Sequence, residues 1–248
     1  MPRKARKKSE SGIYHVMLRG INKQQIFEDE EDRMKFLETL VQYKEQCGYS
    51  IYAYCLMGNH IHILIKEGVE ELPVVFKRIA GSFVYWYNWK YHRCGHLFQD
   101  RFKSEPVDDD EYLLMVLRYI HQNPVRAKLC KKVTDYAHSS IGEYLSSSNM
   151  VDTDFVLSML PREEFMRYHE EYSDDPCMDM TTQIRLNDSD AKAIITKITK
   201  CKSATDFQTL DIEKRNKYIN KLHKQGLSIR QISRLTGLSK KIIETNIG

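Results

Sequence analysis

Ile51-Tyr52-Ala53-Tyr54-Cys55-Leu56-Met57-Gly58-Asn59-His60-Ile61-His62-Ile63-Leu64-Ile65-Lys66 carries two β-rich runs separated by Gly58-Asn59. Glycine and asparagine accept the backbone angles of a tight turn, so the stretch predicts a β-hairpin. Residues i and i+2 of a strand point to one face, so His60 and His62 project side by side while Ile61 and Ile63 enter the core. Neutral imidazole is a common ligand for divalent metal. Two imidazoles hold one poorly, however, and a third ligand with open positions for substrate oxygen is needed.

Outward from the hairpin, strand and helix signals alternate. Ile13 to Leu18 is a β-rich run ending at Arg19-Gly20, and residues 30 to 47 place Met34, Phe36, Leu37, Leu40 and Val41 at helical spacing. Residues 71 to 93 predict a second helix with an aromatic face (Phe83, Tyr85, Trp86, Tyr87, Trp89), most of it core at that spacing. A strand from Leu97 to Lys103 is expected to follow, with Leu97, Gln99, Arg101 and Lys103 on one face and Phe98 and Phe102 on the other. Arg101 and Lys103 are candidate phosphate contacts. The order β-α-β-β-α-β predicts an α+β, ferredoxin-like plan: a four-stranded antiparallel sheet with two helices on one face and the other face left for function. Asp108-Asp109-Asp110-Glu111 then opens a third helix, since acidic residues favour a helix N-terminus. It is expected to end near Asn123-Pro124, because the residue before proline is pushed out of the helical region. Tyr112, Tyr119 and Asn123 share one stripe of this helix, at spacings of seven and four.

The chain of 248 residues is 42% hydrophobic and 29% charged, which places it with folded globular proteins rather than disordered ones. No apolar run approaches the ~18 residues that span a bilayer. The basic start Met1-Pro2-Arg3-Lys4-Ala5-Arg6-Lys7-Lys8 leads into a strand signal rather than a signal-peptide core, so a cytoplasmic location is expected. The six cysteines form no CxxC pair, and neither a zinc site nor a disulfide framework is expected. Charge is unevenly spread. Residues 1 to 144 hold 22 Lys and Arg against 19 Asp and Glu, net +3; residues 145 to 200 are net −5; residues 201 to 248 are net +6. Basic ends around an acidic middle suit nucleic-acid contact at two places.

Three domains are expected on this basis: a catalytic domain over 1–145, an acidic helical connector over 146–200 opened by Ser146-Ser147-Ser148-Asn149, and a terminal module over 201–248. The connector predicts helices around 162 to 172 and 188 to 200, separated by Asp174-Asp175-Pro176. In the terminal module residues 212 to 224 form one helix, Ser228 caps Ile229 to Leu235, and Thr236-Gly237-Leu238 turns the chain. Ser239 then caps Lys240 to Ile247. With Ile232, Leu235, Leu238 and Ile242 apolar, this is a helix-turn-helix pattern, and Lys240, Lys241, Thr245 and Asn246 are its candidate DNA contacts. A small helical bundle used for self-association has the same pattern; the +6 charge favours DNA.

Tyr54-Cys55-Leu56-Met57-Gly58-Asn59-His60-Ile61-His62-Ile63-Leu64 resembles the His-hydrophobic-His signature of the single-tyrosine HUH transposases, the IS200-like group. Arg118-Tyr119-Ile120-His121-Gln122-Asn123-Pro124-Val125-Arg126-Ala127 resembles the second signature of their REP-associated tyrosine transposase branch. Weaker echoes are Tyr14-His15-Val16 with Arg19-Gly20, Gly95 to Ser104, and Tyr136-Ala137-His138-Ser139-Ser140, so the resemblance covers residues 13 to about 144. It implies that His60 and His62 bind a divalent metal, Mg²⁺ or Mn²⁺, with Asn123 as third ligand and Tyr119 as nucleophile. It also implies single-stranded or hairpin DNA as substrate, a 5′-phosphotyrosyl enzyme with a free 3′-hydroxyl, and Arg19 and Arg126 among the DNA-binding residues. The terminal module would add duplex DNA, no membrane is involved, and relatives are either monomers or dimers that exchange the tyrosine helix. Tyr112 has no ligand partner four residues on and is assigned a structural or base-stacking role. His15 either neighbours the metal pair or is a core histidine, the second being favoured on general grounds. Two other readings stay open: a DNA-binding regulator that has lost cleavage, and a metal-dependent nuclease in which water replaces Tyr119.

Overall fold

In the computed structural model, residues 6–146, 150–171, 177, 188–201, 203–225, 227 and 229–247 are described. The hairpin forms as β2 (Ser50–Met57) and β3 (His60–Lys66), with Met57 opposite His60 and Cys55 opposite His62. β1 (Ile13–Arg19) pairs antiparallel with the other side of β3, setting Met17 opposite His62 and Arg19 opposite His60. β4 (Lys103–Pro106) lies outside β1, with Glu105 opposite His15 and Lys103 opposite Met17. The sheet order is β2-β3-β1-β4. Between the strands run α1 (Glu30–Cys47), opened by an Asp29/Asp32 capping box, and α2 (Leu72–Lys90). The two helices pack on each other, and their buried Phe36, Leu40, Phe76, Ile79 and Phe83 join Ile61, Ile63 and Ile65 in one core. This is the expected α+β architecture. On α2, Phe83 and Tyr87 are core, whereas Tyr85 and Trp89 are exposed.

Strand alternation sends His60, His62 and Leu64 to the opposite face, together with their partners Arg19, Met17 and His15. That face is not bare. α3 (Asp110–Arg126) packs across β2 and β3, its first turn closed by the Asp109 side chain accepting from the Tyr112 N–H. α4 (Ile141–Leu145), α5 (Thr153–Met159) and α6 (Arg162–Glu170) follow.

Two expectations in this region are corrected. The last strand starts at Lys103, six residues later than the predicted Leu97. Residues 97–99 instead brace the end of β1: Leu97 O accepts from Ile21 N, Gln99 N donates to Arg19 O, and Leu97, Phe98 and Phe102 are all buried. Leu97 therefore does not share a face with the exposed Gln99, Arg101 and Lys103. The third helix, secondly, runs through Pro124 to Arg126. A proline inside a helix costs roughly 3 kcal/mol. Here Asn123 and Pro124 are buried, and the helix is completed beyond the ring by Ala127 N to Asn123 O and Leu129 N to Pro124 O, both 2.9 Å. The pre-proline bias is a local steric preference, and burial outweighs it.

The chain divides into two compact units between Met178 and Asp179. The segment expected as a connector contributes to both cores: Val151, Val156, Leu160 and Phe165 to the first, Ala191 and Ile195 to the second. Its expected punctuation at Ser147 to Asn149 and Asp174-Asp175-Pro176 lies outside the described residues, as does Ser228. The second unit contains α7 (Asp188–Thr199), α8 (Ala204–Gln208), α9 (Ile212–Lys224), α10 (Ile229–Thr236) and α11 (Lys240–Ile247). Gly237 turns the chain between α10 and α11 at φ +73°, a left-handed conformation that glycine adopts without strain. The Ser233 hydroxyl donates to Leu238 O at 2.8 Å and closes the same turn. Ile243 of α11 is buried, whereas, counted from the Ser239 cap, the helix phase turns Ile242 outward, where it is 36% exposed. No helix among the described residues is long and apolar enough to cross a membrane.

Candidate active site

The site lies where β1, β3 and β4 meet α3. β3 presents His60 and His62 two residues apart, with ring centroids 5.0 Å from each other. α3 supplies Tyr119, whose ring centroid is 5.6 Å from that of His62, and Asn123 one turn later, with Nδ2 at 3.3 Å from His62 Nε2. Because the helix continues through Pro124, the Tyr119 and Asn123 side chains stay on one face, and both are almost fully buried. All four residues thus come together within a single chain.

His62 is buried completely. Its Nδ1 is 3.0 Å from Nε2 of His15, and Nδ1 of His15 is 3.0 Å from Oε1 of Glu105, so the three side chains form one hydrogen-bonded line. Burial, then the neighbouring His15 and His60, hold His62 well below the usual imidazole range, and it is neutral at physiological pH. On the other side, Nδ1 of His60 is 2.7 Å from Oδ1 of Asn59. An amide oxygen only accepts, so the His60 proton is on Nδ1 and its lone pair on Nε2.

This donor set fits a divalent cation. His60 Nε2 and His62 Nε2 carry lone pairs, and turning over the Asn123 amide presents Oδ1 where Nδ2 now donates to His62. Two imidazoles and an amide oxygen are all neutral, which leaves the charge of a cation for an anionic phosphate. Among the described residues no group of three or more His, Cys, Asp or Glu is arranged to hold a metal, so Asn123 is the third donor at hand.

The other sequence candidates are distributed as follows. The Arg126 guanidinium carbon lies 5.1 Å from the centroid of the Tyr119 ring. Arg19 is opposite His60 and Lys103 opposite Met17, both on the histidine face. Arg101 precedes β4 and lines, with Arg6, Lys7, Lys8 and Lys103, a cavity of about 1200 Å³ between the N-terminal arm and the start of α2. Arg6 stacks on the Phe102 ring at 4.0 Å and donates to Phe102 O at 3.0 Å. Lys240, Lys241 and Thr245 are exposed along α11 in the second unit, with Asn246 half-buried.

Sequence reasoning left His15 with the core histidines and did not single out Glu105. The signal for Glu105 was an extension of the alternation that had already picked Lys103, two residues earlier on the same face. Tyr112 also reaches this network: its hydroxyl hydrogen-bonds Glu105, and burial followed by the Glu105 charge raises its pKa. A phenol held neutral by a carboxylate is a poor nucleophile, in keeping with the structural role expected for Tyr112.

The site thus joins a four-stranded antiparallel sheet, which presents two histidines, to a helix that covers them and carries a tyrosine. Residues 8–123 match the profile of the family described as Transposase IS200 like, which takes in the whole sheet and α3 as far as Asn123. This part of the chain is similar to that family. Among solved structures, a REP-associated tyrosine transposase bound to a REP hairpin shares the fold at 16% sequence identity and a TM-score of 0.51, covering 61% of this chain and 94% of that one. A candidate transposase from Deinococcus radiodurans R1 matches at 18% identity and a TM-score of 0.35, covering 49% of this chain and 97% of that one. No curated protein matches the sequence.

Proposed function

We propose that the first unit cleaves and rejoins single-stranded or hairpin DNA through a covalent bond to Tyr119, in the manner of the REP-associated branch of the family. The observation that carries this reading is the approach of Tyr119 and Asn123 to His60 and His62 within one chain. Tyr119 Oη attacks a phosphodiester phosphorus and gives up its proton; the P–O3′ bond breaks, and the departing 3′ oxygen takes up a proton. The products are a 5′-phosphotyrosine and a 3′-hydroxyl. The ester keeps the bond energy for rejoining, which hydrolysis by water would dissipate. A divalent cation, Mg²⁺ or Mn²⁺, held by His60, His62 and Asn123 supplies Lewis acidity to the phosphoryl oxygen and the leaving oxygen. Arg126, Arg19 and Lys103 bind phosphates around the tyrosine, and Arg101 extends this basic rim toward Arg6.

The second unit is a duplex-binding helix-turn-helix in this reading. α10 and α11 are joined by Gly237, Leu238 and Ser239, and Lys240, Lys241, Thr245 and Asn246 meet phosphates or base edges. A DNA substrate agrees with the cytoplasmic location expected from the sequence. The decisive experiment incubates the protein with a hairpin oligonucleotide and Mn²⁺. A covalent protein–DNA adduct forms, and Tyr119→Phe abolishes it. Cleavage to a free 5′-phosphate without adduct would assign the reaction to water, and DNA binding without metal-dependent cleavage would make the protein a regulator.

A further inference from the structure

We infer that His15 and Glu105 are positioning residues which hold His62 in the one tautomer and ring orientation able to ligate a cation; the inference rests on the metal site proposed above.

A buried neutral histidine needs one acceptor and one donor for its two ring nitrogens, and backbone groups can supply both. His15, fully buried in β1, spends both on side chains: Nδ1 on Glu105 Oε1 and Nε2 on His62 Nδ1, each at 3.0 Å. The register makes this possible. Glu105 is the direct cross-strand partner of His15, while His62, paired with Met17, is diagonal to it, within reach of a long ring. The directions of the hydrogen bonds then follow in order. A carboxylate only accepts, so His15 Nδ1 carries the proton and His15 Nε2 the lone pair. That lone pair accepts from His62 Nδ1–H, which leaves the His62 lone pair on Nε2, facing Asn123 and open to a ligand. The stacking of the two rings, with centroids 5.2 Å apart and planes 27° from parallel, fixes the His62 plane as well. Glu105 is itself held by the Tyr112 hydroxyl from α3, so the line begins on the same helix that carries Tyr119. The Nδ1 of His60 is met by Asn59, its chain neighbour in the hairpin turn. Partners of this kind are generally worth 10- to 100-fold in metal affinity.

The test uses the full chain without DNA. Mn²⁺ affinity is read from the free-ion electron paramagnetic resonance signal, and the His62 tautomer from ¹⁵N chemical shifts of the ring. His15→Leu and Glu105→Ala should each weaken Mn²⁺ binding by roughly 10- to 100-fold. His15→Gln, which keeps an acceptor in place of Nε2, should restore affinity to within about threefold of the parent. In metal-free protein the His62 proton, on Nδ1 in the parent, should redistribute toward Nε2 in His15→Leu. Circular dichroism separates folded from unfolded variants, and Glu105→Ala, at a partly exposed site, serves if His15→Leu does not fold. The inference is overturned if both folded variants bind Mn²⁺ like the parent, or if the His62 tautomer is unmoved. It is overturned together with the metal-site reading if the parent binds no Mn²⁺, or binds it equally well as His62→Ala. Parent binding that depends on His62 but not on His15 or Glu105 leaves the metal site standing and removes only the positioning role.

Discussion

At the scale of single residues, His62 and Tyr119 owe their usefulness to neighbours that are remote in sequence. His62 is kept neutral by complete burial and oriented from β1 and β4, while Tyr119 has the Arg126 guanidinium at 5.1 Å over its ring. A cation at that distance from a tyrosine ring is worth about 0.5–2 kcal/mol and also offers a phosphate contact. Arg126→Ala should therefore slow adduct formation by roughly tenfold without abolishing it, as measured in single-turnover assays on the hairpin substrate. An unchanged rate would remove Arg126 from the site. That His60 shares a face with His62, and Tyr119 with Asn123, was legible in the sequence, because spacings of two and four are local periodicities; the roles expected of them came from the family resemblance. Glu105 was not: its role exists only once β4 lies beside β1.

At the scale of elements, α3 works with two faces. One carries Tyr119 and Asn123; the other is pinned to α6 and the chain before α4. Nδ1 of His121 is 2.9 Å from His169 Nε2, Nε2 of His121 is 2.8 Å from Ser140 Oγ, and Gln122 Nε2 donates to the backbone carbonyls of His169 and Glu171. Burial pushes His169 down to about 4 and His121 well below 6.5. Both rings are neutral in the fold, whereas the unfolded chain takes up protons below about 6.5. The pair's contribution is therefore complete above pH 6.5 and is lost as pH falls toward 4. For His169 alone the loss amounts to about 3 kcal/mol, at ~1.4 kcal/mol per unit. The urea midpoint should drop between pH 6.5 and 4.5, and it should drop less in His169→Leu, whatever that variant's starting stability. Equal slopes would show that the acid sensitivity arises elsewhere. The helix through Pro124 belongs to the same scale. Its local rule predicted an end at Asn123, and only the packing of a buried α3 shows that the rule yields.

At the scale of the molecule, the chain forms two compact units, each with its own core, and the proposed catalysis and the proposed duplex recognition fall in different ones. The tyrosine and the histidines meet within one chain. The role of α11 can be tested through salt. Replacing Lys240 and Lys241 together by alanine should lower the slope of log affinity against log salt for duplex DNA by about 2, since each neutralised phosphate contributes roughly 0.9. Adduct formation on the hairpin should be unaffected. An unchanged slope would send α11 back to a purely structural role.

What the sequence determined by itself was everything with a short period: the hairpin around Gly58-Asn59, the alternation that sets His60 beside His62, the helical stripe of Tyr119 and Asn123, and the order of strands and helices that specifies the sheet. What only the tertiary structure decided was everything that depends on contacts between distant segments. It moved β4 to Lys103–Pro106, because Leu97 and Phe98 are drawn into the core beside β1. It carried α3 past Pro124, and it placed Glu105, His15 and His62 in one line across three strands. The physical reason is the same in each case. Periodicity records which face a residue is on, but burial and hydrogen-bond satisfaction between elements decide what that face meets.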